Sequence, residues 1–294
     1  MNIVLCADEN YAMACGICVT SILENNKGNQ CHIYILTDGF SEKTISLFNQ
    51  MQTQYAQEIS IKKIDSTVFE GLKVSDRFRR SIYFRFLIPD IVDGDKALYL
   101  DSDIIVNGNL KSLWDTDLSS WACAVVEDQC ADDIRLHNRI DMYSTYFNSG
   151  VLLMNLKYWR DNLIKEKLVD YIFNNPEKCL YPDQDALNVL LEGKVCFLDY
   201  SYNFQELMLD DANNSFLHKD KWNKVKKAFE QPIIIHYTRG IKPWHLEYQG
   251  PFKNVFLKYK SLSLWSDYAL LRKITRKQRY CFIITSMIKK IFGC

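Results

Sequence analysis

The sequence predicts an α/β fold, on three observations. Short apolar runs alternate with segments of helical length through the first half of the chain, the pattern of parallel βαβ units. Pro89 and Gly94 punctuate the approach to the apolar run at 96–100. The 294 residues are 48% hydrophobic and 24% charged, ordinary values for a globular chain able to bury a sizeable core.

Taken in order, residues 2–6 (NIVLC) read as a strand and 11–26 as a helix. Residues 31–37 (CHIYILT) read as a second strand, followed by a helix near 41–56 and a third strand at 58–64 (EISIKKI). A helix around 75–88 leads to the strand 96–100 (KALYL). Residues 121–126 (WACAVV) and 147–154 (FNSGVLLM) read as buried strands, 156–174 as a long helix, and 233–237 (IIIHY) as a last apolar run that brings a histidine to its end. No internal repeat or low-complexity segment interrupts this order.

From about residue 262 the character changes. Leu, Trp, Ile and Phe are interleaved with Arg and Lys, which predicts an amphipathic helix. Such a helix either docks on an anionic membrane surface or packs on the domain with its charges solvated. No stretch approaches the ~20 apolar residues of a membrane span.

Lysine plus arginine total 36 and aspartate plus glutamate total 36, so the net charge gives no support for a nucleic-acid partner. The charge is uneven: residues 255–294 hold one acid, Asp267, and the acids gather in the body. The opening residues lack a basic segment followed by a long apolar one, so no secretory leader is expected and the ten cysteines are expected to stay reduced. Cys15 and Cys18 form a lone CxxC. Without the second pair of a zinc site they are assigned to the first helix, one facing the core.

The sharpest local feature is Tyr99-Leu100-Asp101-Ser102-Asp103, an apolar strand ending in two carboxylates spaced i, i+2. Ligands of α/β sheets bind beyond the carboxyl ends of the strands. Flanked by apolar runs, the two carboxylates repel each other unless neutralised. A shared Mg²⁺ or Mn²⁺ would do so, and could bridge phosphate oxygens. The bland alternative is a solvated turn or a helix cap.

Four further clusters join it. His236 ends an apolar run and can ligate a metal, Gly240 allows close backbone approach to a phosphate, and Lys242 adds a point charge; together they form a candidate diphosphate clasp. Tyr181-Pro182-Asp183-Gln184-Asp185 opens a helical run, where Asp183 either caps the helix or, with Gln184, binds vicinal hydroxyls. Asn148 and Ser149 are polar residues in a buried strand and need partners that a ligand could supply. Ala7, Asp8, Asn10 and Tyr11 sit where the first βα loop of a nucleotide fold meets its ligand, but without the G-x-G-x-x-G of a dinucleotide dehydrogenase.

These pieces in this order resemble glycosyltransferase family 8, which includes bacterial lipopolysaccharide and lipooligosaccharide galactosyl- and glucosyltransferases and the glycogenins. ADENYAMACGICVTSI, SIYFRF, LYLDSDIIV, LWDTDL, FNSGVLLMNL, YPDQDALN and HYTRGIKPW carry the resemblance. It implies a GT-A fold, a mostly parallel mixed sheet flanked by helices, over a catalytic domain at 1–260; the basic helical tail at 261–294, read from its composition, lies beyond the resemblance. It implies Mn²⁺ or Mg²⁺ on Asp101, Asp103 and His236. Uridine would rest on Ala7, Asp8, Asn10 and Tyr11, the diphosphate on Gly240 and Lys242, and the donor sugar near Asn148, Asp183 and Gln184, with Arg85 reaching donor hydroxyls or phosphate and Ser102 and Ser149 also among the donor-binding residues. A carboxylate after the 121–126 strand is also expected on the sugar, and both Glu127 and Asp128 qualify. The family usually places Gly three residues after its His, where this chain has Arg239.

What the resemblance implies chemically is hexosyl transfer with retention, from UDP-galactose or UDP-glucose to an oligosaccharide or lipid-linked saccharide. Asp183, Gln184 and Asp103 are the candidate catalytic residues. Front-face attack is preferred to a covalent intermediate on Gln184, since an amide is a poor nucleophile. The expected location is cytoplasmic, peripheral on the inner face of the plasma membrane. A nucleotidyltransferase would carry a basic, Gly-rich first loop instead of Asp8 and Glu9. A non-catalytic sugar-nucleotide binding module is the remaining alternative.

Overall fold

The run at 2–6 forms β1 (Asn2–Cys6), with Val4 in one hydrophobic cluster and Ile3 and Leu5 in another, as the two-residue period of a strand covered on both faces requires. The computed structural model describes residues 1–74, 79–209 and 218–273. After β1 come α1 (Ala12–Asn25), β2 (His32–Thr37), α2 (Glu42–Tyr55) and β3 (Glu58–Lys63). All three strands pair in parallel, and β4 (Lys96–Leu100) joins the free side of β1, also in parallel. The βαβ expectation for the first half therefore holds, and β1 is the strand from which the order runs outward both ways, where α/β sheets bind ligands.

Over its described part, the helix expected around 75–88 is a 3-10 run, Arg80–Leu87, passing into a single turn, α3 (Ile88–Ile91). Tyr83, Phe84, Arg85 and Phe86 are all buried, which a one-sided amphipathic α-helix does not allow.

β5 (Ile104–Val106), α4 (Lys111–Trp114), β6 (Cys123–Glu127), α5 (Ile134–Ile140) and β7 (Phe147–Asn155) follow. β7 lies antiparallel between β4 and β6. The long helix expected over 156–174 is two helices, α6 (Leu156–Asp161) and α7 (Ile164–Asn174), separated at Leu163, whose φ of 51° lies in the left-handed region and turns the chain. After α8 (Pro182–Leu190), β8 (Val195–Phe197) pairs in parallel with β6 and completes a seven-stranded mixed sheet of order β3-β2-β1-β4-β7-β6-β8.

The remaining elements are β9 (Phe204–Gln205), α9 (Trp222–Glu230), β10 (Ile234–His236) and α10 (Lys253–Leu262). β10 pairs antiparallel with β5 and parallel with β9, forming a small second sheet. In this register His236 lies opposite Ile104, the residue after Asp103.

The helix expected from 262 onward is not formed in the described part of that segment. Residues 263–273 run as turns and extended chain against the body. The Trp265 ring is fully buried, 5.1 Å from Phe48, in a notch that exists because position 16 is glycine; a Cβ there would stand 2.1 Å from the indole. Leu271 bonds to the backbone of Trp244 and Leu246. The basic stretch beyond Lys273 lies outside the described residues. Among those described, no helix is long and apolar enough to cross a membrane.

Candidate active site

The acidic turn is positioned from both sheets. Asp101 N–H donates to Gly150 O at 2.8 Å, extending the β4–β7 ladder by one rung, and Tyr237 N–H donates to Asp103 O at 3.1 Å on the β10 side. Asp101, Asp103 and His236 each offer a ligand atom within 4.8 Å of the others. His236 Nε2 is 3.2 Å from Asp103 Oδ1 and 3.7 Å from Asp101 Oδ2. Gly150 makes this convergence fit, since a Cβ on it would lie 2.3 Å from His236 Cε1 and 2.8 Å from Asp101 Oδ2.

The imidazole's tautomer follows from a backbone donor. Gly150 N–H donates to Asn148 Oδ1 at 3.0 Å, so that oxygen is an acceptor. Asn203 must then offer its Nδ2 to it, at 2.9 Å, and turn its Oδ1 to His236 Nδ1, at 3.1 Å. Nδ1 therefore carries a proton, and in the neutral ring the Nε2 lone pair faces two carboxylate oxygens. Only a shared proton or a cation makes that juxtaposition favourable. The donor set, two carboxylates and an imidazole with an oriented second nitrogen, fits a divalent metal.

The two aspartates are also countered by the protein itself. Arg85 Nη2 reaches Asp101 Oδ1 at 2.9 Å, and Tyr99 Oη donates to the same oxygen at 2.5 Å. Lys242 Nζ reaches Asp103 Oδ2 at 2.6 Å. Repulsion within the pair is thus relieved partly by resident cations. Burial works against ionising Asp103, but Lys242, joined by His236 when its Nε2 shares a proton, outweighs it and holds the carboxyl below the usual range. Burial likewise opposes the Arg85 charge, and the Asp183 and Asp101 carboxylates more than compensate.

A second network adjoins the first. Arg85 Nη1 bonds Asp183 Oδ2 and Ser149 O, each at 2.9 Å. Ser149 donates its hydroxyl to Asp183 at 3.0 Å and its backbone N–H to Gln184 Oε1 at 2.9 Å. Gln184 Nε2 and Asn148 Nδ2 both donate to Asp128 Oδ2, at 3.2 and 2.9 Å. Asp183 and Gln184 are set at the start of α8 by Asp185, a fully buried carboxylate bonded by Tyr146 Oη, Arg139 and Tyr181 N–H. Of the two carboxylates at the end of β6, Asp128 belongs to this network. Glu127 instead accepts from Tyr200 Oη at 2.6 Å and pairs with Lys221 at 2.9 Å. Burial raises the Asp128 carboxyl above its ordinary pKa against the pull of Asn148.

At the exit of β1, buried Ala7 donates its N–H to Leu36 O, and Asp8 Oδ1 accepts from Tyr11 N–H at 3.1 Å, capping the short 3-10 turn Glu9–Tyr11 that carries exposed Asn10. Arg79 pairs with the other Asp8 oxygen at 3.2 Å. The Tyr11 ring meets Trp244 edge-on at 5.6 Å, linking this exit to the 236–245 segment. Ser102 donates its hydroxyl to Cys6 O at 2.9 Å. Gly240 is exposed, with open space where a Cβ would be and no left-handed backbone, so no local strain demands glycine there.

Cys15 and Cys18 are both buried in α1, and burial raises the Cys15 thiol to about 12, the signature of inert core cysteines. Asn203 went unnoticed in the sequence. Its only signal is a polar residue inside the aromatic run YSYNF, where burial obliges it to find partners.

A model described as glycosyl transferase family 8 matches residues 2–247. The lipopolysaccharide glucosyltransferase WaaO of Escherichia coli K12 is 32% identical over 283 residues, 92% of this chain and 81% of that protein. The lipopolysaccharide 1,3-galactosyltransferase of Salmonella typhimurium LT2 is 29% identical over 287 residues, 94% of this chain and 82% of that protein. Among solved structures, galactosyltransferase LgtC in complex with donor and acceptor sugar analogs superposes with a TM-score of 0.78 at 26% identity, covering 95% of this chain and 99% of that one.

Proposed function

The chain belongs to glycosyl transferase family 8, and from that premise we propose that it is a metal-dependent hexosyltransferase acting with retention on UDP-galactose or UDP-glucose. The observation that carries this is the convergence of Asp101, Asp103 and His236, whose ligand atoms lie within 4.8 Å of one another, with His236 Nδ1 turned to Asn203. Those three residues would hold the cation. The imidazole in the donor set favours Mn²⁺ over Mg²⁺, which prefers oxygen ligands alone. When bound, the ion offsets charge developing on the leaving diphosphate.

The residues divide the donor between them. Ala7, Asp8, Asn10 and Tyr11 receive the uridine, with Ser102 holding the backbone of β1 against the acidic turn. Gly240 leaves room for the diphosphate and Lys242 brings it a positive charge. Arg85, Asn148, Ser149, Asp183, Gln184 and Asp128 surround the sugar. The tethering of these groups favours front-face attack. Gln184 is bonded at both ends of its amide and Asp183 is paired with Arg85, so neither presents a free nucleophile. A diphosphate oxygen then takes the acceptor proton.

The lipopolysaccharide transferases among the relatives favour an oligosaccharide or lipid-linked saccharide acceptor in cell-surface glycan synthesis. The basic residues beyond 273 would hold the enzyme on the anionic inner face of the plasma membrane. Incubation with UDP-galactose, UDP-glucose and UDP-N-acetylglucosamine, with and without Mn²⁺, tests the proposal. Metal-dependent UDP release from one of the first two is the expected result. Pyrophosphate release, or binding without turnover, would overturn it.

A further inference from the structure

Both aspartates facing His236 carry a cation from the protein, and the two cations are held very differently. The Arg85 guanidinium is buried under bonds to Ile82 O, Ser149 O and Oγ, Asp101 and Asp183, all between 2.9 and 3.1 Å, with the Tyr99 ring 4.4 Å away. Its planar fork is fixed and cannot leave without abandoning five acceptor contacts. Among the described residues Lys242 has two acceptors, Asp103 Oδ2 and Tyr237 O, both at 2.6 Å. It is a point charge on a flexible stem. It sits between exposed Gly240, where the space beside Cα is open, and Pro243.

We propose that Lys242 is an exchangeable counter-ion. It neutralises Asp103 while no divalent cation is present, is displaced from that carboxylate when one binds, and is thereby made available to the diphosphate. This rests on the cation site proposed for Asp101, Asp103 and His236. The physical reason is charge repulsion across one carboxylate, whose Oδ1 faces His236 and whose Oδ2 holds Lys242. A dication drawn to Asp103 repels an ammonium bonded to the same group. The released ammonium, still tethered at the rim, finds its next acceptor in an anionic ligand beside the metal. Loading of the metal and binding of the diphosphate are then coupled, and the coupling is reciprocal. Arg85 takes no part in the exchange and keeps Asp101 aligned throughout.

The test is a calorimetric titration of Mn²⁺ into the wild type, Lys242→Met and Lys242→Arg, each with and without UDP. Without nucleotide, Lys242→Met is expected to bind Mn²⁺ about tenfold more tightly than the wild type, while Lys242→Arg stays near the wild type. UDP should strengthen Mn²⁺ binding strongly in the wild type and little in Lys242→Met. Unchanged or weaker Mn²⁺ binding by a cooperatively unfolding Lys242→Met overturns the proposal. Lys242→Gln, which keeps a polar tip for Tyr237 O, replaces it if the methionine variant does not fold. A wild type that binds no Mn²⁺ even with UDP would instead sink the cation site itself, which separates the two failures.

Discussion

Asn203 Oδ1 lies 3.1 Å from His236 Nδ1, and this contact decides which nitrogen of the ring is turned toward the two aspartates. Asn203 is fully buried and bonds to Asn148 and to the imidazole, so it acts by orienting the ring. Replacing it with alanine leaves Nδ1 without its acceptor and frees the ring to change tautomer. Asn203→Ala should lower Mn²⁺ affinity about 10- to 100-fold, measured by titration. Wild-type affinity in a folded variant would show that the tautomer is fixed by something else.

Asp103 meets His236 with one oxygen and Lys242 with the other. Asp103→Ala should reduce sugar transfer by about 10³-fold or more, the scale of losing a preorganised electrostatic group. Chelation of metal from the wild type should have a comparable effect, reversed by added Mn²⁺. Turnover that survives both treatments would remove the metal from the mechanism.

Gly150 is the tightest point of the site. A methyl there would press on His236 and on Asp101 at once. Overpacking of this kind costs about 1–3 kcal/mol, so Gly150→Ala should fold with a lowered melting temperature and lose metal binding. A variant that retains Mn²⁺ affinity would mean that β7 shifts to accommodate the methyl.

The two carboxylates that end β6 should part company under mutation. Asp128→Asn disturbs the acceptor of both Asn148 and Gln184 and should lower kcat/KM on the order of 10²-fold. Glu127→Gln, whose partners are Tyr200 and Lys221, should stay within about threefold. The reverse ranking, read from donor hydrolysis, would return the sugar contact to Glu127.

Truncation separates the two parts of the C-terminal region. Deleting 274–294 should release the protein from anionic vesicles while leaving UDP release intact, and unchanged vesicle binding would argue against a membrane role. Deleting from 262 should instead unfold the body, because it removes Trp265; Trp265→Ala alone should cost about 3–5 kcal/mol in chemical denaturation.

Much of this architecture was legible in the sequence, for identifiable reasons. The parallel half announces itself because each buried strand is a short apolar run set off by helical periodicity. Asp101 and Asp103 stand out because carboxylates seldom interrupt such runs, and His236 because it ends one. What stayed hidden depends on contacts between distant segments. The pairing of β10 with β5, which carries His236 to the acidic turn, leaves no local trace in three-residue strands. The 3-10 run at Arg80–Leu87 buries consecutive residues, and Leu163 breaks a helix that its neighbours' periodicity would continue. The choice between Glu127 and Asp128 turns on which side of the β6 terminus each carboxylate leaves, which Tyr200, Lys221, Asn148 and Gln184 decide together. The tautomer of His236 is set by a backbone N–H at Gly150 through two asparagines, a chain that no spacing rule encodes.

The notch at Gly16 that receives Trp265 has a consequence for how the molecule is made. The first helix cannot complete its hydrophobic surroundings until position 265 has been synthesised, because the plug for that opening is Trp265, far along the sequence from Gly16. A nascent chain halted before position 265 would expose this socket, and the packing around α1 depends on a contact of long sequence separation, which slows folding and invites association of incomplete chains.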